Sequence, residues 1–93
     1  MSYFIYIGRN KGNLYGLSSK GYHIVRKGLD ITITHGPVEI LGRNKKRIIW
    51  CKGYKTDIRH FSTSQEAVRY KIERIKRRLS NGYEKIDSKI YKR

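Results

Sequence analysis

A chain of 93 residues has room for one small domain with a single core, which excludes an architecture of several catalytic domains. Lysine and arginine total 22 against 7 aspartates and glutamates, a formal charge of +15, and so large an imbalance points to a polyanionic partner. Hydrophobic residues make up 38% and aromatics 12%, enough apolar surface for a folded core rather than a disordered charged chain.

The first predicted element is a strand at Tyr3-Phe4-Ile5-Tyr6-Ile7, apolar at every position and rich in aromatic and β-branched side chains, as expected of a strand covered on both faces. This longest apolar run is far shorter than the roughly 20 residues of a membrane span. No cationic stretch precedes it and no small-residue cleavage site follows it, so the expectation is an intracellular, cytoplasmic protein, not secreted and without a membrane partner. Gly8 to Gly21 reads as a loop because Gly8, Asn10, Gly12, Asn13, Gly16, Ser18 and Ser19 favour turn dihedrals, with Leu14, Tyr15 and Leu17 able to anchor it. Tyr22 to Arg26 and Ile31 to Thr34 alternate bulky residues around Lys27-Gly28-Leu29-Asp30, which predicts a hairpin with Ile31 and Ile33 on one face.

Gly36-Pro37 reads as a breaker. Val38 to Leu41 and Arg47 to Lys52 then flank Gly42-Arg43-Asn44-Lys45-Lys46, predicting a second hairpin with a cationic tip, and Ile58 to Phe61 reads as one more short strand. After it the period changes. Val68, Ile72, Ile75 and Leu79 are spaced by four, three and four, one stripe of a helix that is expected to cover the sheet. Either Thr63 with Glu66 or Ser62 with Gln65 supplies the capping box that starts it. Asn81-Gly82 ends it, with Arg77 and Arg78 at the negative dipole end. Residues 84–93 are then a short final strand or a flexible basic tail. The fold class is α+β: residues 1–93 form a single small domain, a curved antiparallel β-sheet packed by one C-terminal helix.

The densest cationic stretch holds Arg43, Lys45, Lys46, Arg47, Lys52, Lys55 and Arg59, with Trp50 and Tyr54 inside it. Basic side chains neutralise phosphates and release counterions, and flat aromatics stack on bases, so this interleaving suits a nucleic-acid surface. The competing reading makes Trp50 and Tyr54 core or cross-strand packing residues, with the charges only solubilising the rim. On the helix, Arg69 and Lys76 border one edge of the stripe and Lys71, Arg74 and Arg78 the other; Arg74, Arg77 and Arg78 extend the expected footprint beyond Arg59. Cys51 and Trp50 alternate on one strand, so one of them faces inward, and a small buried hydrophobe is the expected role of Cys51.

A single cysteine excludes an internal disulfide, and with three scattered histidines it lacks the paired spacing of a zinc site. No phosphate-binding glycine loop or paired acids occur, so neither a cofactor nor a small-molecule substrate is expected. His23, His35 and His60 do raise an alternative, a metal-independent endoribonuclease of toxin type. Against it, the three lie on different predicted strands and no carboxylate has a spacing in sequence that would orient one of them. A third reading is a basic interaction module within a nucleoprotein complex. An uncovered sheet edge could also pair with a second copy of the chain.

The order of elements resembles the WGR domain, a module of antiparallel sheet plus one helix named for its Trp-Gly-Arg signature. Tyr3-Phe4-Ile5-Tyr6 resembles its opening strand, and Ile31-Thr32-Ile33-Thr34 the strand leading into the signature, where His35-Gly36-Pro37-Val38 stands here. Phe61, Thr63, Glu66 and Ala67 match its Phe-x-Ser-x-x-Glu-Ala helix entry, and Gly82-Tyr83 the Gly-aromatic pair that follows the helix. The resemblance implies a module without catalytic activity that contacts nucleic acid, with DNA favoured over RNA. Only Gly36 survives from the naming triplet, and Glu39 to Asp57 is longer than the usual family turn, so the expectation shifts phosphate contact onto this extra hairpin.

Overall fold

A computed structural model of the chain describes residues 2–9, 17–41, 47–87 and 89–92. The strands are β1 (Ser2–Arg9), β2 (Leu17–Lys27), β3 (Asp30–Leu41), β4 (Arg47–Trp50) and β5 (Lys55–His60), followed by helix α1 (Ser64–Ser80) and two short strands, β6 (Glu84–Ile86) and β7 (Ile90–Tyr91). They form one curled sheet in the order β6-β1-β2-β3-β4-β7, with β5 paired to β3 beside this path. The pairings are antiparallel except for β4 with β7, which is parallel. The single α+β domain with an antiparallel-rich sheet and one helix therefore stands. Among the described residues no helix is long and apolar enough to cross a membrane.

The first hairpin closes between Lys27 and Asp30, with Gly28 at φ +60°, a conformation that favours glycine at this turn position. Strand β2 begins earlier than expected: Leu17 to Gly21, read from sequence as loop, pair with β1. The larger correction concerns Gly36-Pro37, which bends a strand instead of ending one. Asp30 to His35 pair with β5 and Val38 to Leu41 pair with β4, so β3 changes partner across these two residues. Gly36 sits at φ +149°, and a Cβ there would meet Tyr54 Cα at 2.6 Å, so glycine lets the two segments touch. The Pro37 carbonyl accepts the Cys51 N–H at 2.9 Å in the gap between β5 and β4. A strand residue directs its N–H and carbonyl to the same side, so the N–H that proline lacks would have faced that gap, and no strand ladder is broken.

Alternation along β1 sends Phe4 and Ile5 to opposite sides of the sheet, and a separate core forms on each. Phe4, Tyr22, Ile24, Ile31 and Ala67 make the helix-side cluster, with Ile33, Phe61, Tyr70, Ile75 and Tyr83 packed around it. Ile31 and Ile33 share that side, as their alternation predicts. Ile5, Val38, Ile48, Trp50 and Ile90 make the second cluster on the opposite side. Gly21 sits under this second core, where a Cβ would come 2.6 Å from Val38 Cγ1 and 3.0 Å from both Trp50 and Ile90.

Helix α1 starts at Thr63, whose hydroxyl accepts the Glu66 N–H at 3.2 Å, choosing one of the two capping registers. It ends at Asn81, followed by Gly82 at φ +91°. Its packing face is rotated from the expected stripe. Ala67 is buried and Tyr70 and Ile75 are partly so, whereas Val68, Ile72 and Leu79 are 39%, 47% and 48% exposed. The physical reason lies in what the sheet offers: Tyr22 presents a ring to Arg78, and Ala67 lets the helix approach, so a basic flank rather than the aliphatic stripe turns inward. Of the stripe, Ile75 alone belongs to the helix-side core. The chain after the helix folds back as β6 on β1 and β7 on β4.

Candidate nucleic-acid interface

On the helix side of the sheet, arginines from two elements converge on tyrosine rings. Ile31 and Ile33 face the helix, so their cross-strand partners Arg59 and Asp57 on β5 project to the same side, as does Lys55 opposite His35. The Arg59 guanidinium lies 5.2 Å from the Tyr70 ring centre and that of Arg74 lies 5.0 Å from the same ring. One turn onward, Arg78 lies 4.6 Å from the Tyr22 ring and 5.4 Å from that of Tyr83. Phe61 braces Tyr70 at 5.0 Å between ring centres. Such stacking fixes the plane of a guanidinium and leaves N–H groups at its edge available to an anion.

Asp57 on β5 and Glu73, which lines a hollow with Tyr70, Arg74 and Arg77, bring two carboxylates to this face. His35 pairs with Asp57, 3.4 Å apart, and His60 with Asp30. Tyr22 is pulled two ways: burial raises its phenol above the ordinary value, and the nearby charge of Arg78 opposes that rise. The Tyr22 hydroxyl and the Arg78 Nε are both buried without a hydrogen bond of standard geometry inside the protein. Beside them opens a cleft of about 340 Å³ lined by Ser19, Lys20, His35, Gly36, Pro37, Arg78 and Tyr83. His35, Gly36 and Pro37 thus share a cleft with one lysine and one arginine.

The residues expected from sequence divide into four groups. Arg59, Arg74, Arg77 and Arg78 lie on or beside this face, Arg77 in the last turn of the helix next to Arg74 and Tyr70. Lys52 is exposed in the turn between β4 and β5, Lys55 is exposed at the start of β5, and Arg47 lies 5.5 Å from the Tyr91 ring at the start of β4. Arg43, Lys45 and Lys46 fall outside the described residues. Trp50 needs correcting as a stacking platform: it is 3% exposed, a member of the second core, with Tyr54 packed on it at 5.5 Å between ring centres. The large indole fills the space between β4 and the sheet, which removes its faces from solvent. Of the pair Trp50 and Cys51 the tryptophan is the inward one, and Cys51 is half-buried.

Sequence reasoning missed Tyr70, Lys20 and His35 as members of the face. The Tyr70–Arg74 contact was legible from an i, i+4 spacing. The Arg59–Tyr70 contact and the Lys20–His35–Arg78 cleft depend on which strands are neighbours. The histidines do not share a site: His23 and His35 are neighbours in register but face opposite sides of the sheet, and His60 pairs with Asp30, four residues or about 13 Å along β3 from Thr34, the partner of His23. The register does supply what sequence spacing lacked, a carboxylate beside His35 and another beside His60. Among the described residues no group of three or more His, Cys, Asp or Glu could hold a metal ion. Comparison of the chain with protein-family models, with curated proteins and with solved structures returns no match.

Proposed function

We propose that this chain is a non-catalytic nucleic-acid-binding module that holds the phosphate backbone on the helix side of its sheet, DNA in preference to RNA. The observation that carries the reading is the sheaf of Arg59, Arg74 and Arg78 on the rings of Tyr70, Tyr22 and Tyr83. Placing like charges this close is unfavourable in an isolated protein and favourable once phosphates replace their counterions. Lys55, Lys20 and Arg77 widen the same face, and Lys52, Arg47 and the basic segment with Arg43, Lys45 and Lys46 extend the positive field. The preference for DNA comes from the WGR resemblance, whose signature position lines the cleft beside Arg78.

Contacts of this kind position a backbone and carry little sequence information. Modest sequence specificity and a steep salt dependence follow. Fluorescence anisotropy with duplex DNA and structured RNA at several salt concentrations tests the reading. Affinity is expected to fall steeply with salt, and Lys45→Glu with Lys46→Glu and Arg47→Glu is expected to weaken it further. Affinity independent of salt removes phosphate contact from the account.

A second reading has one observation in its favour, the carboxylate–histidine pairs His35–Asp57 and His60–Asp30, since an oriented imidazole can serve as a general base. Cleavage of RNA by the purified protein, abolished by His35→Ala or His60→Ala, is its signature; RNA left intact excludes it. Docking on an acidic protein surface is distinguished by co-purification that survives nuclease treatment.

A further inference from the structure

The side of the sheet away from the helix carries a second site of different chemistry. Its centre is a row of residues paired across four strands: Tyr3 on β1, His23 on β2, Thr34 on β3 and Thr56 on β5. Tyr3 and His23 stack face to face, their ring centres 3.9 Å apart and their planes within 7°. The Thr34 and Thr56 hydroxyls hydrogen-bond at 3.2 Å. This row lines a groove of about 580 Å³, with Trp50 at its wall and Lys89 and Lys92 contributed by the chain around β7. The His23 ring lines the groove, while its Nε2 has almost no solvent-accessible surface and no hydrogen-bond partner inside the protein.

We infer that this groove binds a single unpaired nucleotide, its base held against the Tyr3–His23 pair and the threonine row, and its phosphate by Lys89 and Lys92. The volume lies in the range that encloses a small organic ligand. A parallel ring stack beside hydroxyls suits a flat heterocycle with polar edges, and two lysines suit one anionic group on it. Burial and the positive charges of Lys71 and Lys89 lower the His23 pKa, so the imidazole in the stacked pair is neutral at pH 7 and does not repel a neutral base. The ligand is a free nucleoside monophosphate or one residue of a single strand, which share this chemistry. The inference rests on the nucleic-acid reading only for ligand class, because the groove uses none of the helix-side arginines.

Trp50 is the only tryptophan, and it lines the groove, so its fluorescence reports occupancy. The test titrates uridine and adenosine 5′-monophosphates and a four-nucleotide single strand into the full chain. Saturable quenching is expected, weakened at least tenfold by Lys89→Glu with Lys92→Glu and changed less than twofold by Arg59→Glu with Arg77→Glu. Thr56→Val, a substitution at an exposed position of the row, is expected to weaken it about threefold and guards against loss of fold in the lysine variant. A tetranucleotide that binds tenfold more tightly than the monophosphates identifies a strand as the ligand; equal affinity identifies the free nucleotide. No saturable change with any probe overturns the inference, as does quenching that survives the lysine variant or is lost with the arginine variant. Duplex affinity measured on the same variants keeps the two failures separate: an empty groove with intact duplex binding sinks the groove alone, and an occupied groove without duplex binding sinks the helix-side reading alone.

Discussion

The two sides of the sheet are built from the same alternating strands yet present opposite chemistry. On the helix side, Arg59, Arg74 and Arg78 lie on tyrosine rings, and Lys20 shares a cleft with Arg78. On the other side, the row Tyr3–His23–Thr34–Thr56 contains no arginine, carries a ring stack and two hydroxyls, and meets lysines only at β7. Residues one apart on a strand point to opposite sides, so His35 joins the cationic cleft while Thr34 joins the neutral row. Charge count alone does not distinguish these faces; the register does.

The comparison breaks most severely at the core that separates it. Trp50→Ala is expected to cost about 3–5 kcal/mol by emptying the second core, enough to unfold much of a domain this small, and urea denaturation measures it. Trp50→Phe is expected to lose far less stability and to leave duplex affinity within twofold, since a buried indole stacks on no base. A tenfold loss of duplex affinity in a folded Trp50→Phe protein restores the stacking role. Next in size is Arg78→Ala, which removes a guanidinium from two rings and exposes the Tyr22 ring; about 1–2 kcal/mol is expected from the lost cation–π contacts and packing. Thr63→Ala removes the helix cap and is expected to cost about 1 kcal/mol, with duplex affinity of the folded fraction unchanged.

The smallest effect is a pH dependence. His23 titrates below its ordinary value of 6.5 in the folded protein because it is buried, so the unfolded chain binds the extra proton first as pH falls. Its contribution to stability is therefore present above about pH 6.5 and is lost on acidification through the interval below it. Melting temperatures recorded from pH 7.5 to 5 are expected to fall less for His23→Gln than for the natural chain across that interval. Equal slopes remove His23 from the acid response.

Local signals carried much of the fold into view. Thr63 with Glu66 started the helix and Asn81-Gly82 ended it because capping needs only neighbours in sequence. The turn at Gly28 was legible for the same reason. Gly36-Pro37 misled because the same two residues end a strand or bend one, depending on whether two other strands arrive to share it. The helix stripe misled because hydrophobic period ranks aliphatic residues above arginine, whereas the sheet offered Arg78 a tyrosine ring. At the site, the basic character and Arg59, Arg74, Arg77 and Arg78 were visible from charge and the Tyr70–Arg74 contact from helical spacing, but the Arg59–Tyr70 and Arg78–Tyr22 contacts and the opposite groove appear only in the folded chain, with β1, β2, β3 and β5 in register.

The most direct test of the account compares duplex DNA binding by the natural chain and by Arg59→Glu with Arg77→Glu, two exposed positions on the helix-side face, using anisotropy at salt concentrations from about 50 to 200 mM. The account predicts an affinity loss of at least tenfold at the lowest salt and a salt slope shallower by about 2, one per phosphate contact removed. Unchanged affinity and an unchanged slope in a protein with unaltered melting temperature would contradict it and place the polyanion elsewhere on the molecule.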